Sequence, residues 1–196
     1  MKELEWLPEY SGQSVDEILA LTDLYRVDSL VVALEQAVDQ KSARVGEQNL
    51  SREERIILAI EALEREVNNG GYSQFFTNSS SEYAPIIHEA LERIECSEVA
   101  KITRRAIDAL GPATWTAGAI ASSVAAYAEE ENQHFERKGG STFQRLPVDP
   151  SSPSKHDAIW IELNQCDQLY YNAGDHIAEK LFEFVKANKH AIRIGN

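Results

Sequence analysis

Residues 51–78 read SREERIILAIEALEREVNNGGYSQFFTN, a helical repeat that runs into paired asparagines, paired glycines and a cluster of aromatics. Ile56, Ile60, Leu63 and Val67 fall on one face at the 3.6-residue period, whereas Glu54, Glu61, Glu64 and Arg65 fall on others. Ser51 followed by Glu54 has the capping-box spacing, in which two side chains satisfy the orphan backbone donors that open a helix. Gly70 or Gly71 is expected to take a positive φ that ends this helix and reverses the chain, because glycine reaches that region without steric cost. Tyr72, Phe75 and Phe76 would then return large apolar area to the core, and Asn68, Asn69 and Asn78 would bond to exposed backbone in the corner. A phosphate loop would need the GxxxxGK[ST] frame after a strand, and the dinucleotide fingerprint is absent as well. The stretch therefore reads as a structural corner between helices, and it sets the class as all-α.

Outward from this corner, every clear apolar pattern has the same period. Ser14 and Glu17 repeat the capping spacing ahead of EILALTDLY, and Leu30, Val31, Leu34 and Val38 form a second stripe; one bent helix or two short ones fit equally well. Ile87, Ala90, Leu91 and Ile94 make another stripe, with Pro85 tolerated in the first turn, and Val99, Ile102, Ala106 and Leu110 make the next. Gly111 and Pro112 stop that helix. Residues 113–137 carry the small-residue stripe Ala117, Ile120, Ala121, Val124 and Ala128. The Pro, Ser and Gly-rich stretch at about 138–156 is expected to be a long surface loop. Helical spacing then resumes from Ile159 to Val185, with a break at Gly174. The expectation is one compact domain over residues 1–196, with seven to eight helices and no strands.

The chain carries 32 acidic against 19 basic residues, a formal charge of −13 that is spread along its length and not gathered in a tail. Such a surface disfavours direct contact with nucleic acid, whose affinity comes largely from lysine and arginine neutralising phosphate. No segment approaches the roughly 18 apolar residues of a membrane span, and the start MKELEWLPEYSG lacks the form of a signal peptide. Cys96 and Cys166 have neither disulfide-framework nor zinc spacing. These features together predict a cytoplasmic protein with both thiols reduced.

The run from Glu64 to Asn78, EREVNNGGYSQFFTN, resembles the signature of a bacterial family formerly of unknown function, with the pattern NGGY/F-x-Q-F/Y-F. Here it is carried by Asn69, Gly70, Gly71, Tyr72, Gln74, Phe75, Phe76 and Asn78. SLVVALEQAV upstream and CDQLYYNAGDHIAEKLFEFVKAN downstream extend the resemblance over residues 28–190. The best-known member is a small acidic protein that imitates DNA and occupies a DNA-binding transcription factor. The resemblance implies an all-helical fold, a homodimer and no known catalytic residues; no cofactor is expected. It does not assign the partner surface to particular positions, since members of one family need not share a partner.

The residues themselves permit such imitation. DNA presents a phosphate about every 3.4 Å per strand, and side chains three or four apart on a helix lie roughly 5–6 Å apart. Glu89, Glu92 and Glu95 form a row at i, i+3 spacing; Glu129, Glu130 and Glu131, with Glu136 beyond, form a second acidic cluster. Arg93 and Arg137 interrupt them.

Catalytic chemistry finds little support. Glu131 and His134 have the ExxH spacing, but a di-iron bundle needs two such pairs and no second exists, so no metal is expected. No GxSxG occurs. Asp167, Tyr170 and Tyr171 could form a polar cluster, read here as Asp167 satisfying a donor inside the core. The chain is thus expected to be a non-enzymatic, acidic binder of a basic protein, and in particular of a DNA-binding one. An inhibitor or immunity protein for a basic toxin or nuclease is the alternative; an enzyme or small-molecule binder with a pocket near the aromatic corner is the third reading.

Overall fold

The computed structural model describes residues 4–137 and 154–195. Among these residues the chain forms eight α-helices and no strand: α1 Val15–Leu19, α2 Val27–Val45, α3 Arg52–Thr77, α4 Ala84–Arg93, α5 Ser97–Ala109, α6 Ala117–Arg137, α7 Lys155–Tyr171 and α8 Ile177–Asn188. The all-α class is as the periodicity predicts. The expected surface loop lies outside the described residues except at its end, where the boundary needs correcting. Ser154 caps α7 with an Asp157 capping box, so residues 154–156 belong to that helix's start.

The described residues group into two units. The first comprises Met1–Glu61, Glu89–Ser97 and Asp175–Asn196. Here α1 and α2 are separate helices, the former opened by the Ser14–Glu17 capping box, and α2 packs on α8. Ile18, Leu30, Leu34, Val38, Ile57, Ile60, Leu181 and Val185 are fully buried and supply the apolar area that holds this unit together. Glu54 is also fully buried. Its carboxylate receives Lys41 Nζ at 2.7 and 2.8 Å, the Ser51 amide at 2.9 Å and the Arg193 amide at 2.7 Å, so the charge is paired and hydrogen-bonded inside. The opening half of α3 is covered on several faces, which is why the polar positions Glu54 and Glu61, off the Ile56–Val67 stripe, are buried too.

The second unit comprises Ala62–His88 and Glu98–Gly174. Leu63, Val67, Tyr72, Phe75, Phe76, Ile87 and Ile107 form its most buried layer, joined by Leu163 and Cys166 from α7. On α6 the inward stripe is Ile120, Val124 and Tyr127, whereas Ala117 and Ala121 face solvent. The small-residue stripe read from the sequence is therefore rotated, because the larger Tyr127 claims the core-facing position and bonds its hydroxyl to Ser73 Oγ at 2.7 Å.

Candidate functional site

The paired glycines end the helical run and turn the chain sharply, as expected, which is why Asn78, twelve residues on, reaches back to Glu66 at 2.7 Å. The span Arg52–Thr77 is two helical arms joined at this kink, with Gly70 at φ −161° and Gly71 at φ +78°, ψ −176°, both non-helical. Gly71 is the residue in the positive-φ region, and a Cβ there would meet Asp167 Oδ2 at 2.3 Å. That close approach lets the Asp167 carboxylate reach the backbone: Tyr72 N–H, freed by the kink, donates to Asp167 Oδ1 at 2.7 Å. The sequence reading of Asp167 as acceptor for an interior donor thus holds.

Further side chains close the joint. Gln74 Nε2 and Asn78 Nδ2, beyond the kink, both donate to Glu66 Oε2 before it, at 2.8 and 2.7 Å. From α7, Tyr171 O–H donates to the Val67 carbonyl at 2.6 Å and Tyr170 O–H donates to Glu64 Oε1. Tyr72 shares a 2.7 Å hydrogen bond with Thr103 Oγ1, stands edge-on to Tyr170 at 6.0 Å and stacks toward Phe76 at 6.1 Å, while Phe75 and Phe76 pack at 5.4 Å. Asn69 is exposed at the kink, and Asn68 Nδ2 bonds back to the Glu64 carbonyl at 2.8 Å.

Electrostatically the joint is an apolar site holding acids. Burial pushes the Glu64 carboxyl up to about 7. Burial also raises Asp167, with the Tyr72 amide opposing it, and raises the Tyr72 hydroxyl. Burial lifts the Cys166 thiol to about 11. At Glu66 burial acts upward, but the amide donors of Gln74 and Asn78, aided by Arg65, leave its carboxyl below the usual range. Tyr72, Phe75 and Phe76 are wholly buried, so the aromatic corner is filled by its own side chains.

Of the predicted acidic rows, Glu89, Glu92, Glu95, Glu129 and Glu130 lie on the exterior. Glu89, Glu92 and Glu95 are exposed, but α4 closes at Arg93 and Glu95 lies beyond it at φ +63°. Cys96 N–H bonds to the Leu91 carbonyl at 2.9 Å and Glu95 N–H to that of Glu92 at 3.1 Å, a Schellman closure with glutamate in the left-handed position. Helical i, i+3 spacing is therefore kept by Glu89 and Glu92 alone. Arg52 pairs with Glu89, while the interrupting Arg93 turns to Glu53 at 3.4 Å and sits 6.0 Å over the Phe184 ring. On α6, Glu129 and Glu130 are exposed, with Gln133 Nε2 donating to Glu129 at 3.3 Å, and Glu131 takes His156 Nε2 at 2.7 Å. The side chains of His134, Glu136 and Arg137 lie outside the described residues, although α6 includes their backbone.

A depression of about 670 Å³ runs along the outer face of α7 between Trp160, Ile161, Leu169 and the carboxamides of Asn164, Gln168 and Asn172. Another, of about 400 Å³, lies by the end of α4 against α8, bordered by Arg93, Glu95, Lys180, Glu183 and Phe184. Neither is lined by the aromatic corner. Among the described residues no group of three or more His, Cys, Asp or Glu is placed to hold a metal ion, and no helix is long and apolar enough to cross a membrane.

No curated protein and no solved structure matches the chain at a significant level. The sequence model of the DMP19-like proteins, however, matches residues 48–188. That span runs from the turn before α3 to the last residue of α8 and takes in the whole joint and both acidic rows, so the chain belongs to the DMP19-like protein family.

Proposed function

We propose that this protein acts without catalysis, by offering an acidic surface to a basic, DNA-binding protein and occupying the face that would otherwise hold DNA. Membership of the DMP19-like family is consistent with a DNA-mimic role at the level of the family. The observation that carries the reading is a division of labour. The NGGY segment is consumed internally, its glycine, amide and aromatic groups closing the α3 joint, while Glu89, Glu92, Glu95, Glu129 and Glu130 stand exposed in a chain of charge −13. A basic patch shaped for phosphates can be met by carboxylates at comparable spacing, and complementary fields speed the encounter and exclude acidic competitors.

Charge neutralisation along the DNA-binding face makes such a complex salt-sensitive. Affinity capture from bacterial lysate at low salt, eluted first with duplex DNA and then with high salt, tests the reading. Release of a DNA-binding protein by duplex supports mimicry. Release by salt alone, with the released protein a toxin or nuclease that duplex leaves bound, would replace mimicry by an immunity role. A homodimer, cytoplasmic location and Glu136 as part of the acidic surface belong to the same proposal. Sedimentation at micromolar concentration giving only a 21.9 kDa species would remove the dimer from it.

A further inference from the structure

The α3 joint gathers three carboxyl groups, Asp167, Glu64 and Glu66, around a backbone that only glycine tolerates. Asp167 lies against Gly71 and holds the Tyr72 amide, and Glu64, on the helix before the kink, receives the Tyr170 hydroxyl. Among the described residues, the group bonded to Glu64 is the neutral Tyr170 hydroxyl. Around the joint as a whole, α7 brings Cys166, Asp167, Tyr170 and Tyr171, α5 brings the neutral Thr103 and the cation Arg105, which acts on Cys166 and is held outward by Glu162 and Gln165, and beyond the kink stands Tyr72, on which Cys166, Asp167 and Glu64 all act. On α3 itself, Arg65 is half-exposed and sits 3.8 Å from Glu66. Three of the four clamping groups on the kink, Asp167, Tyr170 and Tyr171, come from one stretch of α7, so a single helix face holds it shut.

We infer that this joint is a proton-controlled latch, in which Glu64 protonated keeps α7 seated on the α3 kink and Glu64 ionised favours its release. The physical reason is that a neutral carboxylic acid is satisfied by the one tyrosine hydroxyl, whereas a half-buried carboxylate with one neutral donor, on a joint that also holds Asp167 and Glu66, is better solvated outside. Ionisation sends the proton to solvent and makes the open joint, where water reaches Glu64, the favoured place for the anion.

The sign follows from the raised folded value. With Glu64 at about 7 in the closed joint and 4.5 when exposed, its contribution to closure is complete below pH 4.5 and is lost as pH rises to about 7. In that window the opening constant grows by up to about tenfold per pH unit from this group alone, and then levels off.

Cys166 reports the latch, because it is fully buried on α7 beside Asp167; Cys96 is equally buried but lies in the other unit, outside the joint. Thiol labelling with a disulfide reagent would be followed from pH 5.5 to 8 in two full-length proteins, Cys96→Ala reporting Cys166 and Cys166→Ala reporting Cys96. Each would be made with and without Glu64→Gln, which keeps an acceptor for Tyr170 but cannot ionise. Taking the ratio between proteins with and without the substitution cancels the ordinary rise of thiolate with pH. The expected result is a Cys166 ratio of about ten at pH 5.5 that climbs at least tenfold further by pH 8, while the Cys96 ratio stays flat. Equal pH profiles for Cys166 in both proteins would overturn the latch, and so would parallel climbs at both cysteines, which would mean global unfolding. Should Glu64→Gln fail to fold, Tyr170→Phe serves instead: removing the hydroxyl that donates to the anion should move the Cys166 transition to higher pH, and an unmoved transition would reject the proposal.

Discussion

Glu95 illustrates how one residue can serve the surface at the expense of the backbone. It sits at φ +63°, a region that costs a side-chain-bearing residue roughly 1 kcal/mol relative to glycine, to complete the Schellman closure of α4. Replacing it by glycine should raise unfolding stability by about 1 kcal/mol in urea with an unchanged denaturant slope, while removing one exposed carboxylate. A loss of stability would mean the glutamate side chain contributes more than its conformation costs. Asp167 is the reverse case, a carboxylate spent on the interior. Asp167→Ala leaves the Tyr72 amide without its acceptor in a buried place, and the expected destabilisation is about 2 kcal/mol; a change within about 0.5 kcal/mol would deny the clamp. Asp167 was legible in sequence as an acceptor for an interior donor because a carboxylate flanked by tyrosines on an otherwise apolar helix must find one. Its specific donor was not, since the Tyr72 amide is freed only by a kink 95 residues away.

At the scale of elements, helices were legible wherever a cap and a stripe coincided. Ser14–Glu17 and Ser51–Glu54 both close as capping boxes, and Gly111, at φ +72°, ends the segment after α5. Ser154–Asp157 carries the same signal, hidden in the sequence by the prolines around it. The paired glycines mark the corner in the sequence itself, but the partners that hold it are not revealed by local sequence: Glu66 across the bend and three residues of α7. The two glycines should therefore respond unequally to substitution. Gly71→Ala places a Cβ against Asp167 at a positive φ and should cost about 3 kcal/mol or more. Gly70→Ala, at an extended φ, meets chiefly the movable end of Gln74 and should cost less than half as much, roughly the value of the Gln74–Glu66 bond. Thermal or urea unfolding of both variants checks the order; equal effects would remove Asp167 as the cause.

The whole molecule is distinguished by charge, and that property is the one most readily counted from sequence and least readily located by it. Composition gives −13, yet a carboxylate on an amphipathic helix is interior or exterior according to what covers the helix. Glu54 and Glu61 are buried, Glu64 is clamped, and Glu131 is held by His156, whereas Glu89, Glu92, Glu95, Glu129 and Glu130 remain outside. If the exposed set meets the partner, then converting Glu89, Glu92 and Glu95 together to glutamine should weaken binding roughly tenfold at low salt and flatten its salt dependence, with the fold intact by circular dichroism. Unchanged affinity would remove this row from the surface.

Occupation of a DNA-binding face is the central claim, and competition measures it most directly. With the captured partner at fixed concentration, binding of this protein would be titrated in the presence of increasing duplex carrying the partner's site. The account predicts an apparent Kd that rises in linear proportion to duplex concentration without limit, the mark of two ligands excluding each other from one surface. An apparent Kd that stays constant, with protein, partner and DNA held in a single ternary complex, would contradict it.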